Sequence, residues 1–242
     1  MKTDRNDPEQ FIARVLPDPT SLDRAQPLST QIYRLLREAI VTMAVLPADV
    51  IFERALAETL GISRTPVREA LQQLAREELV TIAAQSGTFV APVRREQFAE
   101  GALIRRVLES ASIRRAAQLI TARELDALHD IHEVHRRAID RGDPVAAIRQ
   151  DNRFHATVGA AARLPKVLQL IELVRAPIDR VRYVTAREPD EGAMTLAQHQ
   201  QVLEALLQHD PDAAERALLA HLDDALLRQQ RVFDEHVELF EG

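Results

Sequence analysis

The run Glu53–Arg76, ERALAETLGISRTPVREALQQLAR, reads as two short helices joined by a tight turn. Glu53–Leu60 is helical by composition, and Gly61 stands where the turn needs a left-handed residue. Ser63 suits the N-cap of the second helix. Pro66 falls in that helix's first turn, where a missing N–H breaks no hydrogen bond. Val67, Ala70, Leu71 and Leu74 form one apolar stripe, while Arg64, Thr65, Arg68 and Gln72 share another face. This is the pattern of a helix-turn-helix whose second helix offers hydrogen-bonding side chains to a DNA groove. Any amphipathic helical hairpin has the same spacing, so the flanking chain decides between them.

Upstream, Ile32, Leu35, Leu36, Ile40 and Met43 give a helix over about 29–43 its buried stripe, and Pro47–Asp49 break it. Residues 1–27 are rich in Pro, Asp, Asn and Ser and read as a loosely ordered tail with a short helical turn at Glu9–Leu16. Downstream, the β-prone runs Leu79–Ile82 and Thr88–Val90 flank a turn at Gln85-Ser86-Gly87, which predicts a hairpin. With LAETLGISRTPVREAL, then LV and SGTFV in place, Ile32–Val93 resembles the winged helix-turn-helix of the GntR family of bacterial transcription regulators. The resemblance implies that Arg54, Ser63, Arg64, Thr65 and Arg68 contact DNA, with Gly87 at the wing tip. Arg64 and Arg68 are the best placed for base edges or phosphates. The chain departs from the family where relatives usually carry Gly, with Ala48 after Pro47 and Glu78 after the reading helix. The first predicts a small change in loop shape. The second predicts either a strained helix end or a different one, with an anion near a helix carboxyl end.

Composition narrows the class. The 242 residues contain 46% hydrophobic and only 4% aromatic residues, with Gly at 7, which favours helices over sheets and allows two modest domains. The absence of Cys excludes disulfides and thiolate metal sites and suits a reducing cytosol. No apolar run approaches the roughly 18 residues of a spanning helix. The opening MKTDRNDPEQ does not read as a secretory leader, so a soluble cytoplasmic protein with no membrane partner is expected. A net charge of −6 argues against bulk binding of a polyanion. Within 28–94, seven Arg balance seven acidic residues, yet Arg54–Arg76 carries four Arg against two Glu. Positive charge is therefore focused on the reading helix, which predicts modest non-specific affinity and specificity from a few contacts and dimer geometry.

From Arg95 the chain turns to nearly continuous helix, which puts a domain boundary at 94/95 and a second domain over 95–242. Thr121–Glu124 is a capping box, and Asp143-Pro144 and Asp210-Pro211 each place an N-cap before a Pro at the first helical position. About six helices follow, at 96–120, 123–141, 144–161, 165–186, 191–209 and 211–238, in an antiparallel bundle, with Pro177 kinking or splitting the fourth. The fold class is thus mainly α: three helices plus a β-hairpin wing over 28–94, then an all-α bundle.

Asp151 and His155 lie four apart on one helix face, in the apolar stripe of Ile148 and Val158. His199 shares a stripe with Val202 and Leu206, and His221 with Ala214, Leu218 and Ala225. Three helices thus aim ligand-type side chains inward, where buried carboxylates and imidazoles are costly unless paired or coordinated. Local hydrogen bonds to each residue separately are the alternative to a shared divalent ion. The segments DNRFH, QHQQVLEAL and DPDAAERALLAHL resemble the FadR-like (FCD) ligand-binding domain of GntR regulators. In its metal-binding members an Asp and three His hold a divalent cation, here implied to be Zn, Ni, Mn or Fe on Asp151, His155, His199 and His221. The resemblance further implies that Arg105, or Arg106 one residue on, pairs with a carboxylate effector; an i,i+4 pair of Arg105 with Glu109 is the other reading. The implied protein is a homodimeric regulator on a palindromic DNA operator, most often a repressor released by a small carboxylic acid. A metal-dependent hydrolase, a direct metal sensor and a purely structural ion remain as rival readings of the same four residues. His129, His132 and His135 step around their helix by threes and lack zincin spacing, so they read as mostly solvated.

Overall fold

The computed structural model describes residues 7–16, 22–186, 191–236 and 239–241. Two units divide at Arg94: Met1–Arg94 together with Val237–Gly242, and Arg95–His236.

In the first unit, α1 (Pro8–Val15), α2 (Leu28–Val41), α3 (Glu53–Leu60) and α4 (Arg64–Arg76) surround a small core. The turn expected at Glu9–Leu16 is α1, capped by Asp7, and it is more than a loose tail, because Phe11 and Val15 are buried and Phe11 packs edge-on against Phe52. Residues 1–6 and 17–21 of the expected tail lie outside the described residues. Gly61 ends α3 at φ 61°, the left-handed geometry the turn requires. The buried face of α4 is Val67, Ala70, Leu71 and Leu74, the stripe read from the sequence.

The wing gains a strand that the sequence did not announce. β2 (Val80–Ala83) and β3 (Gly87–Val90) form the antiparallel hairpin, and β1 (Val50–Ile51) pairs on the other side of β3, Val50 opposite Phe89. A two-residue strand carries too little alternation to be visible as a pattern. A parallel pair, β4 (Val93–Arg94) with β5 (Phe240–Glu241), returns the last described residues to this unit, so the second unit stops short of the expected 242.

Both departures from glycine resolve locally. Ala48 adopts φ 65° and its N–H donates to the Val90 carbonyl at 2.9 Å, so an L-residue holds the left-handed position where relatives usually carry Gly. Glu78 likewise sits at φ 56°, and Arg94 approaches its carboxylate at 2.9 Å, which offsets the anion near the α4 carboxyl end.

The second unit holds α5 (Arg95–Leu119), α6 (Ala122–Asp140), α7 (Pro144–Ala161), α8 (Pro165–Thr185), α9 (Glu191–Leu207) and α10 (Pro211–Glu235). Capping follows the sequence: Thr121 and Glu124 exchange bonds, Asp143 accepts from Ala146 N, and Asp210 accepts from Asp212 N and Ala213 N. Pro177 does not split α8. The carbonyl it leaves unbonded is that of Leu173, whose side chain is solvent-exposed, so water can satisfy it. Gly159 lets α7 and α8 close together, since a Cβ there would lie 2.3 Å from Leu168. Phe154, Leu128, Ile113, Val202, Leu206 and Leu218 form the bundle core beside the polar cluster described next.

Ala48→Gly and Glu78→Gly each relieve the steric cost of a left-handed L-residue, and each should raise the unfolding free energy by about 1 kcal/mol. The readout is a higher denaturant midpoint at unchanged slope. A lower midpoint for Ala48→Gly would show that this turn stores no strain.

Candidate functional site

On the first unit, Ser63, Arg64, Thr65 and Arg68 are all exposed along the start of α4. Ser63 occupies the N-cap position with extended backbone, but its hydroxyl makes no capping bond, which corrects the expected cap. One carboxylate ties the reading surface together. Glu53 Oε2 accepts from Arg64 Nη2 at 3.3 Å and Arg68 Nε at 3.4 Å, while Oε1 accepts from Thr88 Oγ1 at 3.1 Å. The first residue of α3, the face of α4 and the wing therefore share one anchor. Gly87, beside Thr88 at the wing tip, adopts φ 119°, which only glycine takes without strain. Arg54 pairs with Glu58 at 2.7 Å, and Arg54, Arg64 and Gly87 line one surface groove of about 500 Å³. Glu53 and Thr88 were missed from sequence, since a Glu at a helix start reads only as a dipole partner.

On the second unit, Asp151, His155, His199 and His221 are all buried, and each offers a ligand atom within 4.8 Å of the others'. α7 supplies the first two one turn apart; α9 and α10 supply the others. His199 Nε2 lies 3.5 Å from Asp151 Oδ1, and His155 Nε2 lies 3.8 Å from Asp151 Oδ2. His155 Nδ1 donates to Glu109 Oε2 at 2.7 Å, and His221 Nδ1 donates to Gln198 Oε1 at 2.9 Å. Those outer bonds fix the tautomer that leaves each Nε2 lone pair directed inward, the usual support of a metal-ligating imidazole. Phe154 stacks on the His199 ring at 4.1 Å and 9°, which fixes its orientation. His155 Nε2 and both His199 nitrogens are buried with no hydrogen-bond partner among the described residues. Such orphaned polar atoms are expensive in a packed core, and a divalent ion would satisfy His155 Nε2 and one His199 nitrogen together. The donor set, imidazole nitrogens plus one carboxylate oxygen, suits Zn, Ni, Mn or Fe.

Electrostatics agree. Burial opposes ionisation of Asp151, but Arg182 and the surrounding imidazoles hold its carboxyl well below the usual carboxylate range. Burial pushes His199 well below its ordinary value and His221 down to about 3, so these rings are neutral and able to donate electron pairs near pH 7. Glu109 is ionised as well: burial disfavours its charge, but Arg105 and His155 outweigh that.

A cavity of about 530 Å³ opens beside this cluster, and Asp151 and Arg182 lie in its wall. Arg182 was not singled out from sequence; in DRVRYV it is one of several arginines on a helix. Its Nη2 lies 2.6 Å from Asp151 Oδ2, and Nη1 donates to Asn152 Oδ1 at 2.7 Å. Arg105 is placed elsewhere. Its Nε donates to Glu109 at 2.5 Å, the i,i+4 pair of the second reading but buried, and it lines a smaller pocket with Glu109 and His155 instead of the 530 Å³ cavity. Arg106 reaches outward to Asp223 at 2.6 Å. Of the three histidines set aside, His129 is exposed, and His132 is half-buried and donates to the Leu196 carbonyl at 3.1 Å. His135 contradicts the solvated reading: it is 3% exposed and lines the cavity. Its place in the buried stripe of Leu128, Ile131 and Ala138 was the available signal.

Comparison with known proteins gives the same architecture. The profile of the bacterial regulatory proteins of the gntR family matches residues 28–90, and that of the FCD domain matches residues 100–224. The chain is 33% identical over 221 residues to the HTH-type transcriptional repressor RspR of Escherichia coli K12, covering 91% of this chain and 97% of that protein. Among solved structures, E. coli McbR/YncC superposes with a TM-score of 0.77 at 24% identity, over 85% of this chain and 98% of that one. A GntR-type regulator from Rhodococcus sp. RHA1 gives 0.72 at 23% identity, over 84% and 97%. Both structural likenesses establish the fold.

The depressed imidazoles set a pH dependence for the metal-free protein. Between the ordinary histidine value near 6.5 and the folded values of about 4 for His135 and about 3 for His221, the unfolded chain binds more protons than the folded one. Stability is therefore full above pH 6.5 and is lost as pH falls, by on the order of 1 kcal/mol per pH unit for each such ring. Denaturation of chelated protein from pH 7 to 5 tests this; a flat profile would mean that the rings are solvated.

Proposed function

The chain belongs to the GntR family of bacterial regulatory proteins and carries an FCD domain, and from that premise we propose a homodimeric repressor whose hold on a palindromic operator is set by a small carboxylate bound beside a divalent ion. That it is a DNA-binding transcription regulator follows from the family; the families it matches are of regulators, not enzymes. Among the described residues no helix is long and apolar enough to cross a membrane, in keeping with work on DNA in the cytoplasm.

The observation that carries the effector reading is the convergence of Asp151, His155, His199 and His221 within 4.8 Å, with Asp151 also in the wall of a cavity of about 530 Å³. That volume falls in the usual range of small-molecule sites. The four residues would hold the ion, whose charge and open coordination positions favour an anionic ligand at the cavity wall. Arg182 supplies the matching cation of the protein itself. Its contacts with Asp151, Asn152 and Asp179 use three of its five N–H groups and leave two for a carboxylate, and a planar guanidinium suits two-point binding. We assign Arg105 to holding Glu109 against His155, and the effector carboxylate to Arg182. Ligand occupancy then acts on operator affinity through the spacing of the two reading helices of the dimer. Repression is supported by RspR, itself a repressor.

At the DNA face, Arg54, Ser63, Arg64, Thr65, Arg68 and Gly87 are the proposed contacts. Arg68→Ala should weaken operator binding by about 1–3 kcal/mol in a titration at fixed salt. Glu53→Gln removes the competing carboxylate and should raise affinity for non-operator DNA while narrowing the specificity ratio. Unchanged operator affinity in Arg68→Ala would sink the role given to that residue.

For the effector site, a thermal-shift panel of small carboxylic acids should raise the melting temperature of metal-loaded protein but not of chelated protein. Arg182→Ala should cost about 2 kcal/mol of that binding. Equal stabilisation with and without metal would remove the ion from the effector site, and full affinity in Arg182→Ala would remove the arginine.

A further inference from the structure

Helix α1 lies outside residues 28–90, yet it grips the strand on which the wing is hung. β1 pairs with β3, and the residues just before and just after β1 are both held by α1. Before it, Asp49 is 1% exposed, and Arg14 Nη1 donates to its Oδ2 at 2.9 Å. A carboxylate at that depth needs a counter-charge, and α1 supplies one. The same Oδ2 accepts from Leu46 N at 3.0 Å, and the Asp49 carbonyl accepts from Val90 N, at the end of β3, at 2.9 Å. After β1, the Phe52 ring meets the buried Phe11 ring edge-on at 5.7 Å. Phe52 takes the N-cap position of α3 with no side-chain capping bond, so its packing on Phe11 fixes where Glu53 opens that helix. Glu53 in turn holds Arg64, Arg68 and Thr88.

We propose that α1 is a clamp that positions the wing for DNA, with Arg14 and Phe11 as its positioning residues. The inference rests on the DNA-face reading above, in which the wing tip at Gly87 meets the duplex, and it extends the DNA-reading unit back to α1. β1 is only two residues long, and so short a pairing does not hold a hairpin in place by its own hydrogen bonds. With both ends of β1 anchored on α1, the strand becomes a fixed edge, and β3 is registered against it with Thr88 opposite Ile51. A recognition surface has to be held within about 0.5 Å of its productive geometry by supporting contacts of this kind. Loosening the clamp therefore acts on selective binding more than on general attraction to phosphates, which tolerates displacement.

The test uses the full-length protein, an operator that it selects from random-sequence duplexes, and a scrambled duplex of equal length, all at fixed salt. Arg14→Gln and Phe11→Ala should each weaken operator binding about tenfold and leave affinity for the scrambled duplex within about twofold. Arg14→Lys and Phe11→Leu should keep most of the operator affinity. Amide hydrogen exchange separates positioning from general destabilisation: in Arg14→Gln the β3 amides should exchange about tenfold faster, while those of α2 and α4 stay within about twofold. The melting temperature reports whether each variant folds, and Arg14→Gln, at a partly exposed side chain, decides the matter if Phe11→Ala does not fold. Wild-type operator affinity in folded Arg14→Gln, a loss shared equally by the scrambled duplex, or exchange that quickens equally in β3, α2 and α4 overturns this inference alone. Ser86→Glu, at the exposed wing turn, tests the wing reading itself and should weaken operator binding. If it does not, the wing reading falls and the clamp's role in DNA binding falls with it.

Discussion

A carboxylate and three imidazoles are buried together in the second unit, and the bundle around them is arranged to make that tolerable. An unpaired charge at such depth costs several kcal/mol, so Asp151 must have counter-charge whether or not an ion is bound. Arg182, 2.6 Å away, supplies it from α8. Glu109 from α5 and Gln198 from α9 take the outer nitrogens of His155 and His221, and Phe154 stacks on His199. Every helix that contributes a ligand is thus also held by a residue that orients one. A slip of one residue in α7, α9 or α10 would expose a charge to apolar neighbours, so the polar cluster fixes the register of the bundle as firmly as its hydrophobic core does.

The first unit solves the opposite problem. Its arginines have to remain exposed and reach a polyanion, yet a loose guanidinium loses side-chain entropy when it binds. Glu53 restrains two of them and the wing at once, through Arg64, Arg68 and Thr88. Exposed pairs of this kind contribute at most about 1 kcal/mol and weaken with salt. They order the surface without locking it, and a phosphate can replace the carboxylate at little cost.

Most of the fold was legible because its signals are local. Gly61, the stripe of Val67, Ala70, Leu71 and Leu74, and the caps at Thr121, Asp143 and Asp210 each act within one turn of chain. The four ligand-type residues were also visible, because each lies in the apolar stripe of its own helix. What escaped depends on packing between elements. Arg182 looks like any helix arginine until α8 brings it to Asp151, and Arg105 gives no sign of which side of the cluster it will face. His135 was discounted by a spacing test designed for metal pairs, although its own stripe placed it inward. The strand β1 and the return of Phe240 to Val93 are two-residue pairings too short to have a period.

The two arginine settings also bear on why the proposed effector is an anion. Arg182 is only 13% exposed and Asp151 3%, so this pair is screened far less than the pairs of Glu53 and cannot be loosened by salt or by a neutral ligand. Removing Arg182 from Asp151 without replacement would leave the buried aspartate without its arginine, while Arg182 keeps Asp179 at 3.4 Å. A carboxylate entering the cavity brings a negative charge of its own to Arg182, and a divalent ion held by Asp151 and the imidazoles would then compensate the aspartate. Such an exchange would keep the buried charge balanced, while any uncharged occupant would have to leave the pair as it stands. The same burial that makes the cluster costly to build restricts the ligands able to rearrange it to those carrying the charge it already balances.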